Sequence, residues 1–164
     1  MGDFARFSSG TPWEPFAAYS RVVKAGSIVA VSGTTATDER GLVVGAGQMY
    51  VQARQTLLNI QRALQKVGLS MSDVVRTRMF VTDITRFAEA AKAHHEFFAG
   101  SPPASTMVQV TRLVSPDMLI EIEADAWADA SVSAAAKPVA AKAAAKKPKL
   151  AARKKPTPKS KKRR

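Results

Sequence analysis

ASTMVQVTRLVSPDMLIEIEA, residues 104–124, holds the alternation that decides the fold. Ile120, Ile122 and Ala124 alternate there with Glu121, Glu123 and Asp125. A period of two places the apolar set on one face of a strand and all three carboxylates on the other. The pattern predicts strands over 106–113 and 118–127, joined near Ser115-Pro116-Asp117, where proline and aspartate favour a turn. A carboxylate stripe of this kind suits a plain solvated face. It also suits a general base, if a second layer covers it and burial raises a carboxyl.

Upstream, residues 74–82 are rich in β-branched side chains and predict another strand. Asp83 is placed to cap a helix running to about Phe98, with Phe87, Ala91, His94 and Phe98 as its apolar stripe. Gly100 and Pro102-Pro103 end it. Ala53, Leu57, Ile60, Leu64 and Val67 recur at alternating spacings of four and three, the mark of an earlier helix, and Gly68 can stop it in a left-handed conformation. Residues 19–23 and 28–33 read as a hairpin about Lys24-Ala25-Gly26-Ser27. The order is ββαβαββ, an α+β fold with two helices on one face of a mixed sheet. The other face stays bare, and in so small a domain it is expected to bury itself against another chain.

Composition divides the chain into a globular domain over 1–130 and a basic tail over 131–164. The net charge is +12, but 13 of the 25 Lys/Arg fall in 134–164, a segment without Asp or Glu. The other 12 face all 13 acidic residues, a balance of −1. The tail is mostly Ala, Lys and Pro. It has too little apolar surface to offset its ordering entropy, so it is expected to be disordered. Dispersed lysines without aromatics suit phosphate neutralisation rather than base reading. Lys146, Lys147, Lys149, Arg153, Lys154, Lys155, Lys161, Lys162, Arg163 and Arg164 are therefore candidates for sequence-independent contact with DNA or RNA. A merely solubilising tail has the same composition.

With no cysteine, disulfides and thiol chemistry are excluded. No spacing of His, Asp or Glu suggests a metal site, and no cofactor is expected. Asp3 comes early, MGDFARFSSG has no apolar core, and no run approaches the ~18 apolar residues of a membrane span, so a cytoplasmic location is expected, with nucleoid association through the tail.

The stretch 104–124 resembles the C-terminal signature of the Rid/YjgF family, reactive intermediate deaminases whose founding members hydrolyse imines. AYSRVVKAGSIVAVSG (18–33), QARQTLLNIQRALQKVG (52–68) and DVVRTRMFVTDI (73–84) resemble its opening hairpin, first helix and central strand, in the same order. The resemblance runs from about Trp13 to Trp127. It implies a chorismate-mutase-like homotrimer with a barrel-like core and small-molecule clefts between subunits.

Carried over residue by residue, the resemblance makes Tyr19, Ser32, Ser105 and Met107 ligand-binding positions and Glu121 the residue that activates water. Met107 stands where many relatives have cysteine. Ser105 stands where catalytic members carry the arginine that pairs with the substrate carboxylate, and a hydroxyl cannot replace a bidentate cation. Losing such a pair costs ~2–5 kcal/mol. Ala91 replaces a frequent asparagine. Arg78 and Arg112 are the nearest cations in sequence that could compensate. His94 and His95 receive no role.

Three functions follow: a ligand-binding trimer attached to nucleic acid, an imine-type hydrolase acting through Glu121, and, last, a ribonuclease or translation inhibitor of the kind reported for some relatives.

Overall fold

A computed structural model describes residues 4–128. The expected hairpin is present as β2 (Val22–Ala25) and β3 (Ile28–Thr35), antiparallel, turning at Gly26 with φ of 61°. Two elements precede it that the sequence pattern does not announce: β1 (Phe4–Phe7) and a short helix α1 (Trp13–Ala17). The order ββαβαββ is thereby extended at its start. FARF is too short for its alternation to stand out, and it becomes a strand by pairing with β2, Phe7 opposite Val22.

The first long helix, α2, spans Met49–Gln65. All five expected stripe residues, Ala53, Leu57, Ile60, Leu64 and Val67, are buried, and Gly68 follows with φ of 77°. Next come β4 (Val74–Val81), α3 (Phe87–Phe98), β5 (Ala104–Gln109) and β6 (Ile120–Trp127). The six strands form one mixed sheet in the order β1-β2-β3-β6-β4-β5, with β4 and β5 parallel. β5 is thus an edge strand among the described residues. Helix α2 packs on β3, β6 and α3, so the long helices cover one face.

The stripe expected on α3 needs correction. Asp83 does cap, accepting from Thr85 N at 3.0 Å, but it caps a 3-10 turn over Ile84–Arg86. The apolar residues of α3 spread over two adjoining faces, and the sheet takes the one that carries the small alanines. The buried residues are Ala90, Ala93 and Phe98, whereas Phe87 and Ala91 are exposed.

Candidate ligand site

The alternation in β6 places its two residue sets as the sequence implies. Ile120, Ile122, Ala124 and Ala126 lie in the core beneath the helices. Glu121, Glu123 and Asp125 face the open side, where Ile28, Val75, Val108 and Trp127 are also exposed. Arg78, on β4 opposite Glu123, reaches Glu123 at 3.5 Å and Asp125 at 3.2 Å. It is committed to that carboxylate pair.

Glu121 sits beside a break in the β3 ladder. Pairing of β3 with β6 shifts between Val31 and Thr34, so Ser32 and Gly33 bulge out of register. The bulge is tied down from β2 and the segment before it. Arg21 Nη1 donates to the carbonyls of Ser32 (3.2 Å) and Gly33 (2.8 Å) and to Thr34 Oγ1 (2.9 Å). Its Nη2 donates to the Tyr19 hydroxyl at 3.1 Å, and Ser32 Oγ donates to the Ser20 carbonyl at 2.7 Å. Buried Glu14 lies 3.8 Å from Arg21 Nε and accepts from the hydroxyls of Ser8 and Ser9. Burial raises the Glu14 carboxyl, but those hydroxyls, the Ser9 amide and Arg21 together hold it below its ordinary value.

Tyr19 and Ser32 are in this way gathered by Arg21, a residue the sequence pattern does not single out, and Glu121 stands beside them against Gly33. The available signal for Arg21 was its place two residues beyond Tyr19 at the start of a strand. Gly33 leaves the room that Glu121 fills: a Cβ there would overlap Glu121 Oε1. Burial raises the Glu121 carboxyl, Glu123 raises it further, and Arg21 draws it part of the way back. A half-buried carboxyl of this kind can take a proton near neutrality more readily than a solvated one.

Ser105 and Met107 lie on the opposite face. β5 pairs with β4 so that Ser105 is beside Thr77 and Met107 beside Met79, both core residues under the helices. Thr77 is wholly buried, and its hydroxyl lies 2.9 Å from Ser105 Oγ and 3.0 Å from His94 Nε2. His94 packs on Phe98 with ring centroids 4.4 Å apart, and burial lowers its pKa, keeping the imidazole neutral. His95 is exposed. These groups edge a cleft of about 390 Å3 between α3 and β5, walled by Met79, Ala91, Phe98 and Pro102. Within one chain the five carried-over positions therefore form two groups, Tyr19, Ser32 and Glu121 on one face and Ser105 and Met107 on the other.

Within one chain neither candidate cation stands at Ser105. Arg78 is on the far face, Arg112 lies beyond the end of β5 and is exposed, and Arg21 is held by backbone carbonyls. Among the described residues no three His, Asp or Glu are grouped to hold a metal, and no helix is long and apolar enough to cross a membrane. The ten basic candidates from Lys146 to Arg164 lie outside the described residues.

The family model described as Endoribonuclease L-PSP matches residues 11–128. A RutC family protein of Pyrococcus horikoshii is 35% identical over 121 residues, covering 74% of this chain and 94% of that protein. The crystal structure of a Mycobacterium tuberculosis member of the YjgF/YER057c/UK114 family is 40% identical with a TM-score of 0.70, covering 77% of this chain and all of that one. A Pseudomonas aeruginosa protein described as of unknown function is 32% identical with a TM-score of 0.67, covering 77% of this chain and 94% of that one. The alternating β6, the bulged β3 and these likenesses together make the chain a member of the YjgF/RutC family, with an Endoribonuclease L-PSP domain.

Proposed function

We propose that the protein is a ligand-binding member of its family, a homotrimer that holds a small molecule in clefts between subunits and is attached to nucleic acid by its basic tail. The observation that carries the reading is the surrounding of Ser105. Only hydroxyls and a neutral imidazole stand where imine deaminases place a carboxylate-binding arginine, and Arg21 and Arg78 are engaged elsewhere. A 2-imino acid entering that cleft would give up the hydration of its carboxylate without gaining a countercharge.

Oligomerisation is supported by the open sheet face, where Ile28, Trp127 and Val75 are each more than half exposed. It also suits the division of the candidate residues between two faces, since a second chain at the β5 edge could complete each half. Three tethered tails would raise the effective concentration of phosphate contacts. A cytoplasmic, nucleoid-associated location belongs to the same reading.

Binding of the full-length protein to duplex DNA, measured against salt, tests the tail. A steep log–log slope of up to roughly −0.9 per phosphate contact, abolished by deleting 134–164, is expected. Unchanged binding after that deletion contradicts it. Sedimentation tests the trimer.

The alternative is hydrolysis of an imine or enamine through Glu121, favoured by its half-buried, raised carboxyl. Glu121→Gln would then abolish turnover. Ribonuclease or translation-inhibitor activity ranks last: within one chain His94 and Glu121 lie on opposite sheet faces, so no acid–base pair is formed there.

A further inference from the structure

The cleft between α3 and β5 has apolar walls and one polar corner. Met79, Ala91, Phe98 and Pro102 form the walls, with exposed His95 at the rim; Ser105 and His94 stand at the corner, linked through the buried Thr77 hydroxyl. Among the described residues no Asp, Glu, Lys or Arg lines it. We propose that this cleft is a binding site for uncharged, amide-type ligands and that it rejects carboxylates. The proposal rests on the small-molecule reading above and names the ligand class.

Counting hydrogens shows why an amide fits. Thr77 has one hydroxyl proton to place between two neighbours. If Thr77 donates to Ser105, then His94 Nε2–H donates to Thr77, and the Ser105 hydroxyl proton is free for a ligand carbonyl. The Ser105 oxygen, which accepts from Thr77 with one lone pair, keeps the other for a ligand N–H. With the Thr77 proton spent on Ser105, the imidazole holds a proton on Nε2. One corner thus answers the acceptor or the donor half of an amide, while the apolar walls take its body.

A carboxylate is an acceptor only. It would obtain one hydroxyl proton, and its charge would be desolvated against methionine, phenylalanine and proline with no Lys or Arg lining the cleft. Burial of His94 supports this, because it lowers the imidazole's pKa and disfavours the cation. Ser105 is exposed on an edge strand, so the corner is open to ligand.

The test titrates the full-length protein with benzamide and with benzoate, following the methyl signal of Met79 by NMR. That methyl reports the cleft and not the basic residues of 134–164. Benzamide is expected to bind at least about tenfold more tightly than benzoate, the factor a missing countercharge supplies. Ser105→Arg should reverse the order. Thr77→Val, which keeps the buried volume but breaks the chain, should weaken benzamide by about 2- to 10-fold.

Benzoate binding as tightly as benzamide to the wild type overturns the proposal and leaves a small-molecule cleft. So does a wild type that binds neither while Ser105→Arg binds benzoate. If no variant binds either compound, the proposal and the small-molecule reading of this cleft fall together.

Discussion

Replacing Gly33 with alanine tests how the Glu121 carboxyl is held. The backbone at Gly33 is not in the left-handed region, so alanine adds no torsional penalty. Its Cβ, however, would overlap Glu121 Oε1 and stand only 3.0 Å from Cδ and 3.4 Å from Cγ. Carbon–oxygen contacts relax near ~3.5 Å, and the offending atom ends a flexible side chain, so the carboxylate moves rather than the sheet. The cost is that of a displaced rotamer, about 0.5–1.5 kcal/mol. The chemical effect is larger than the energetic one. Moved toward solvent, the carboxyl loses the burial that raises it.

Carbon-detected NMR titration of the Glu121 side chain in both proteins, beside urea denaturation, reads the two effects separately. The wild type should titrate above the ordinary glutamate range, and Gly33→Ala should titrate close to it with the fold intact. A wild-type titration unchanged by Gly33→Ala would refute the reasoning. So would loss of more than about 3 kcal/mol, which would mean that the bulge backbone itself had been displaced.

Other outcomes follow from the same packing. Arg21→Met frees the bulge carbonyls and leaves Glu14 buried with fewer partners, a loss of about 3 kcal/mol by urea denaturation; adding Glu14→Gln should cost less than the sum of the two single changes. Leu57→Ala empties a wholly buried position on α2 and should cost about 2–5 kcal/mol in the same assay. The two perturbed carboxyls give stability opposite pH dependences. Glu121, raised in the folded chain, keeps a proton that the unfolded chain has released, so stability falls as pH rises from the ordinary glutamate value through the folded one; Glu121→Gln removes that fall. Glu14, lowered in the folded chain, contributes stability that is present above the ordinary value and lost as pH falls through the folded one; Glu14→Gln removes that loss.

Periodicity made much of this molecule legible before its structure. The α2 stripe and the β6 alternation are strong because each repeats over several turns or pleats, and both lie as expected. Phe4–Phe7 escaped because a four-residue strand carries too little pattern and depends on its partner. The α3 stripe is legible only at its end, because apolar residues lie on two adjoining faces of the helix: Phe98 is buried and Phe87 and Ala91 are exposed. The chemistry at Glu121 was legible in part: alternation indicates which way the carboxyl points, but Arg21 and the β3 bulge act on it through contacts between strands. The face on which Ser105 lies relative to Glu121 was not legible at all. It depends on the registers of β5 on β4 and of β4 on β6, which no single strand encodes.

The most direct test is hydrolysis of freshly generated 2-iminobutanoate by the full-length protein, beside the Ser105→Arg variant. The account predicts an inactive wild type and activity on restoring the arginine, because the cleft otherwise lacks a countercharge for the substrate carboxylate. Turnover by the wild type would contradict it and would mean that another cation serves the site.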